Sequence, residues 1–218
     1  MIRSFGWDSV EFLLFATRWT LMLSCLTFLF GGIFGLSFAL LRVLGPRPIQ
    51  LLIMGYIQLI QATPLLILVF IAFYGLSFLG LYFPPLIAAA LSLSMYTTAF
   101  LADIWRGCIE AIPRQQWEAA DALAMTLPQK LRYVILPQAF RISLGPTVGF
   151  MVQIVKNTSV TALIGFVELT RAGQLLNNIT FQPFAVFLTV AAIYFAICYP
   201  LSFVSQRLKG GRDVSVAH

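Results

Sequence analysis

The chain has 218 residues, 60% of them hydrophobic and 10% charged, and its mean hydropathy is +0.90. A soluble domain carries roughly 25% charged residues, and a water-exposed fold of this size has no interior large enough for so much apolar surface, so a soluble globular protein is excluded. The formal charge of +6 falls between apolar runs and gathers on no single face or tail, which makes it an orientation signal at a membrane surface and not a nucleic-acid footprint.

Residues 1–18 carry Arg3, Asp8, Glu11 and Arg18. They read as an amphipathic surface lead-in, because a cleavable signal has a short apolar region and small residues at its end. Crossing about 30 Å of hydrocarbon takes roughly 20 apolar residues in a helix. Five runs qualify: 19–41, 49–78, 84–105, 144–166 and 183–203. The second is long enough to tilt, or to kink at Pro64 where a backbone donor is missing. None alternates with the period of a barrel strand. No internal repeat is visible, so residues 1–218 form one all-α membrane domain of five spans.

Ten Lys/Arg lie on one side of this arrangement: Arg42, Arg47, Arg106, Arg114, Lys130, Arg132, Arg141, Arg207, Lys209 and Arg212. Three lie on the other: Arg3, Arg18 and Arg171. The N-terminus is therefore expected outside and the C-terminus in the cytoplasm. Trp19 and Trp105 then fall near opposite interfaces. Residues 106–141 form a cytoplasmic loop of unusual length, and loops beyond about 12–15 residues are generally functional or disordered. Pro113 suits a first helical turn, and residues 117–125 are rich in helix formers. Thr126 with Gln129 makes a capping box opening a second short helix, with Leu131, Val134 and Ile135 on one face and Pro137 near its end. Two short helices with apolar projections make a docking knob.

The run EAADALA from Glu118 to Ala124, followed by Ile135, Leu136 and Pro137, resembles the EAA loop of permease subunits in binding-protein-dependent ABC importers. The likeness covers most of the chain and extends to QATPLLILVFIAFYGL, YTTAFLADIWRGCIEAI, ILPQAFR and KNTSVTALIGFVELTRAG. It is nearest to the histidine/glutamine/glutamate/arginine/opine class. The resemblance implies a type I importer permease that forms half of a translocation pathway for polar amino acids in the bacterial cytoplasmic (inner) membrane. Its implied partners are a second permease, identical or homologous, a cytoplasmic ABC ATPase dimer and an external or periplasmic solute-binding protein. No cofactor is expected on this chain, with ATP and Mg on the ATPase. The residues implied to couple to the ATPase are Trp117, Glu118, Ala119, Ala120, Ala124, Leu136 and Pro137. The family has glycine where this chain has Gln115 and Ala124, arginine at Gln61 and glutamate at Asp103. Alanine resists a left-handed turn, so the bend at Ala124 is expected to differ.

The candidate pathway comprises Thr63, Tyr96, Thr98, Asp103, Lys156, Asn157, Thr158 and Ser159. A cation at bilayer depth costs about 2.5–3.5 kcal/mol, which directs Lys156 to a cavity or a partner. Unwinding there would offer backbone and hydroxyl oxygens to an ammonium while Lys156 meets a carboxylate. The alternative is that Lys156 reaches toward the surface and the hydroxyls pack between helices. Thr63 and Pro64 fit a packing kink as well as a substrate contact. Asp103 and Arg106, three apart, fit a helix-surface pair better than transport chemistry. An intramembrane enzyme needs a nucleophile with a base, but the one histidine is His218. No phosphate loop ends in Lys and Ser/Thr, so ATP is hydrolysed elsewhere. Cys25, Cys108 and Cys198 suggest neither a disulfide framework nor zinc. A stand-alone channel or carrier leaves the long loop without a purpose.

Overall fold

The computed structural model describes residues 5–210. Arg3, Arg212, His218 and the side chain of Lys209 lie outside that description.

Helix α1 (Trp7–Leu44) is unbroken for 38 residues. It absorbs most of the stretch expected to lie on the surface, because nothing between Trp7 and Trp19 interrupts a helix. Asp8 stands in its first turn, where the dipole favours an acid. At about 1.5 Å per residue the helix outruns the bilayer. It packs on α5 (Pro85–Glu110) through glycines one turn apart. A Cβ at Gly31 would lie 2.5 Å from the Thr97 side chain, and one at Gly35 would lie 3.1 Å from Leu101. Only a bare backbone allows that approach, as in small-residue helix pairs within membranes.

The second apolar run is broken and not merely kinked. Helix α2 (Arg47–Ala62) stops at Thr63, and the chain resumes at Leu65 after a bend of 104°. Pro64 supplies no donor and pushes its predecessor out of the helical region. Thr63 accordingly has φ −98° and ψ 127°. Beyond the break lie α3 (Leu65–Phe70), a π-helical turn (Ile71–Gly75) and α4 (Leu76–Phe78). Among the described residues, four helical stretches are long and apolar enough to cross alone, and the two arms of the broken run make a fifth if they count as one span.

Helices α6 (Arg114–Ala122) and α7 (Leu127–Lys130) follow α5. The expected second short helix is not separate. From α7 the chain passes through a π-helical turn (Leu131–Ile135) into α8 (Leu136–Asn157). Pro137 stands at the start of α8, directly after the π-helical turn, and the helix runs on through it, so it does not end its predecessor. The fourth span thus begins well before residue 144, with Ala139 and Ser143 already buried. A 3-10 stretch (Thr158–Ile164) continues α8 and ends at Gly165, whose φ of +84° suits a residue without a side chain.

Helix α9 (Leu169–Thr180) had no counterpart in the five apolar runs. Twelve residues reach about 18 Å, too short to cross. Its Leu169, Ala172 and Leu176 pack against Leu13 and Ala16 of α1 and Val186 and Val190 of α10 (Pro183–Gly210). The bundle is inverted relative to a soluble protein. Thr20, Thr27, Ser92, Thr97 and Thr98 are buried, while Phe30, Leu52, Phe184 and Leu188 face outward.

Candidate functional site

Helix α6 projects from the bundle on a small apolar base. Trp117 is half-buried against the cluster of Ile109, Ile112, Leu131, Ile135 and Ala139, with Leu136 beside it. Ala120 is also buried, whereas Glu118, Ala119 and Pro137 are exposed and Leu123 is 76% exposed. Lys130 of α7 pairs with Asp121 of α6, and the capping box joins Thr126 to Gln129 at 2.8 Å.

The bend at the end of α6 corrects the expectation for Ala124. Its φ is +53°, in the left-handed region. The Met125 N–H donates to Ala120 O at 3.1 Å and the Ala124 N–H to Asp121 O at 2.8 Å, the paired bonds of a Schellman ending. That motif favours glycine, but alanine occupies the position. The turn keeps its geometry, so the local cost falls on the Cβ.

In the middle of the membrane, hydroxyls are largely engaged by their own helices. The chain does not unwind after Lys156 but tightens into the 3-10 stretch. Thr158 donates to Val155 O at 2.8 Å, Ser159 to Lys156 O at 2.7 Å and Thr161 to Thr158 O at 2.7 Å. Thr98 and Thr63 likewise donate to Ser94 O at 2.8 Å and Leu59 O at 2.7 Å. Thr158 is fully buried, whereas Lys156 is exposed.

Asn157 differs from these hydroxyls. Its Oδ1 accepts from Gln153 Nε2 at 3.0 Å, while its buried Nδ2 makes no well-formed hydrogen bond. The Tyr96 hydroxyl sits beside this side chain. Tyr96 also stacks with Phe150 at 6.4 Å and lies 4.4 Å from Phe100. Tyr96 is near the middle of α5, which places Gln153, Lys156 and Asn157 at mid-depth with an aromatic wall. Sequence reasoning omitted Gln153, although it stands one helical turn before Asn157.

Asp103 stands toward the end of α5 that leads to α6. It joins Arg106 at 3.0 Å, as the three-residue spacing suggested, and Arg42 of α1 at 3.2 Å. Arg106 also pairs with Glu110. This ladder ties α1 to α5, and Asp103 is some distance in chain from the group around Tyr96.

The opposite end holds a group missed in the sequence. Glu168, fully buried, caps α9 by accepting from the N–H groups of Thr170 and Arg171, each at 2.8 Å. Tyr194 Oη of α10 donates to the same carboxylate at 2.9 Å, and the Leu169 N–H reaches Thr20 Oγ1 of α1 at 3.1 Å. Burial pushes the Glu168 carboxyl above its ordinary range, against the pull of these donors. The signal lay in VELTR, an acid just before an amphipathic run.

Residues 31–210 match the family described as binding-protein-dependent transport system inner membrane component. The L-cystine transport system permease protein TcyB of Bacillus subtilis (strain 168) is 34% identical over 91% of this chain and 86% of its own length. The glutamine transport system permease protein GlnP of Escherichia coli (strain K12) is 31% identical over 93% of this chain and 94% of its own. The nopaline transport system permease protein NocM of Agrobacterium fabrum is 32% identical over 89% and 85%. Among solved structures, an amino acid ABC transporter crystallised with histidines superposes with a TM-score of 0.86 at 31% identity, covering 90% of this chain and 92% of that one. The MetNI methionine ABC transporter shares the fold at a TM-score of 0.79 and 20% identity, over 94% and 99%.

Proposed function

The chain belongs to the family of binding-protein-dependent transport system inner membrane components, and from that premise we propose how it carries its cargo. It is the membrane-spanning permease subunit of an ATP-driven amino-acid importer, and ATP hydrolysis belongs to a separate nucleotide-binding subunit. It works in the inner membrane with an ATPase, a substrate-binding protein and a second permease. In our reading the second permease completes a pathway of which this chain forms half, and two ATPase subunits bind on the cytoplasmic side, holding ATP and Mg. The N-terminus faces outward, so that α6 meets the ATPase. Residues 106–141 act as the coupling region within a single domain of residues 1–218.

In this arrangement α6 enters a cleft on the ATPase, with Glu118, Ala119 and Pro137 exposed and Trp117, Ala120 and Leu136 anchoring it to the bundle. The π-helical turn (Leu131–Ile135) joins this knob directly to α8, so a displacement of α6 and α7 reaches the Asn157 region through one continuous helix. Ala124 sets the angle at which α6 leaves for α7.

The cargo is a polar amino acid. The observation that carries this reading is the polar group at mid-depth, where the Asn157 side chain lies beside the Tyr96 hydroxyl and its buried Nδ2 makes no well-formed hydrogen bond, so that a passing carboxylate or carbonyl can accept from it. Lys156 supplies the positive charge for a carboxylate, and the Tyr96 hydroxyl and Gln153 are further polar neighbours. Thr63, Thr98, Thr158 and Ser159 bond to their own backbones and line or shape the path. Two of the three permease relatives are named for amino acids, cystine and glutamine.

Uptake by proteoliposomes holding the whole complex, assayed with a panel of amino acids, tests the assignment. Lys156→Ala and Asn157→Ala should each lower uptake or alter preference while the ATPase subunits stay attached. Unchanged rate and selectivity in both would make this segment structural. A phosphatase that works only outside the cytoplasm tests the orientation: it should be active fused near Gln174 and inactive after Arg207.

A further inference from the structure

At the end of the bundle that carries α6, the last turns of α1 and α5 and the first turns of α2 line a cavity of 360 Å³. Arg42, Arg47 and Arg106 line it together with Glu110. Arg42 and Arg106 are held by Asp103, and Arg106 also by Glu110. Three guanidinium groups therefore stand against two carboxylates, leaving one positive charge in excess. That charge belongs to Arg47, which has no ion pair among the described residues. Helix α2 begins at Arg47 with no acid in its first turn, so its unbonded N–H groups add to the preference for an anion.

The lower wall of the cavity is apolar. Leu51 and Met54 line it, and they follow Arg47 at four and seven residues, on one face of α2. Leu51 is 61% exposed and its neighbour Leu52 is 75% exposed, as befits side chains turned to hydrocarbon. A monoanionic head thus meets Arg47 at the surface, and a greasy tail continues down the same face.

We infer that this cavity binds one anionic phospholipid, its phosphodiester at Arg47 between Arg42 and Arg106 and an acyl chain along Leu51 and Met54. A phosphodiester carries one negative charge, which matches the excess. A neutral hydroxylated headgroup also suits Glu110, whose carboxylate would repel a second anion. Gln50, which also lines the cavity, already donates to Gly45 O at 2.9 Å, so it shapes the wall. The assignment to the inner leaflet, though not the site itself, rests on the orientation proposed above.

Native mass spectrometry of the complete transporter in detergent, with phosphatidylglycerol or phosphatidylcholine of the same chains, tests this. A basic residue near an anionic lipid is worth about 1 kcal/mol, roughly fivefold, so phosphatidylglycerol should be retained about fivefold more. Arg47→Gln should erase that excess, Arg47→Lys should keep most of it, and Arg18→Gln, in the first half of α1 and outside the cavity lining, should leave it unchanged. Equal retention of the two lipids, or an Arg47→Gln complex that retains the excess, overturns the site. Displacement by millimolar inorganic phosphate would assign the cavity to a free anion and overturn the lipid. Loss of ATPase subunits on Arg47→Gln with lipid retention unchanged would assign it to an acidic protein surface and overturn it equally. If Arg47→Gln does not assemble, a photoreactive phosphatidylglycerol on the wild-type complex decides: labelling should map to residues 47–54, and labelling confined elsewhere overturns the proposal.

Discussion

At the end of the bundle that carries α9, one carboxylate is sealed from solvent and meets three donors: Glu168 with Thr170 N–H, Arg171 N–H and Tyr194 Oη. At the end that carries α6, Asp103 is 40% exposed and shares its charge with two arginines, and Glu110 is 52% exposed. Water screens the second group and not the first. Buried donors with no acceptor remain uncompensated, whereas exposed ions are rehydrated when a partner is lost. The contrast extends to the backbone. The α9 end is fixed by one dense hydrogen-bond knot linking α1, α9 and α10, but the α6 end stands on a small apolar base and turns through a left-handed alanine. On the proposed coupling role of α6, the densely bonded end lies far from the ATPase contact and the more exposed end next to it.

Substitutions break this comparison in decreasing order. Glu168→Ala orphans two N–H groups and leaves the Tyr194 hydroxyl with Thr170 Oγ1, 3.0 Å away, as its remaining partner, and should cost about 3–4 kcal/mol in denaturant unfolding of the detergent-solubilised protein, from the penalty per buried unsatisfied group. Glu168→Gln keeps an acceptor and should cost less than half of that. Were Glu168→Ala as stable as wild type, the knot would not be the rigid element. Asp103→Asn should cost no more than about 1 kcal/mol in the same assay, the range for half-exposed pairs. A loss as large as that of Glu168→Ala would erase the difference between the two ends. Ala124→Gly should raise stability by about 0.5 kcal/mol, because glycine occupies the left-handed region without the Cβ penalty. A loss of stability would mean that the turn rearranges without its alanine.

The sequence made the spans visible because twenty apolar residues are a long signal, and the capping box at Thr126 was legible because its two residues are three apart. What escaped was decided by contacts between distant residues. Residues 7–18 are charged enough to resemble a surface segment, but Leu13 and Ala16 gain a partner in α9, which only the fold supplies. Pro64 announces an interruption without saying whether it bends or breaks a helix. The polar run after Lys156 suggested unwinding, yet three hydroxyls that bond back to carbonyls three residues earlier favour a tighter helix. The ladder at Asp103 was half legible: Arg106 is local, but Arg42 lies sixty-one residues away. At Ala124 local propensity argued against a left-handed bend, and the surrounding Schellman bonds with Ala120 and Asp121 prevailed.

The proposed mechanism depends most on whether α6 transmits the work of the ATPase. Glu118 is exposed on α6. In proteoliposomes containing the permease, ATPase and substrate-binding protein, amino-acid-stimulated ATP hydrolysis and uptake should both fall about tenfold in Glu118→Lys, the order expected from reversing a charge at a contact surface, while the amount of inserted permease stays at the wild-type level. Hydrolysis and uptake at wild-type rates in that variant would contradict the coupling role of α6.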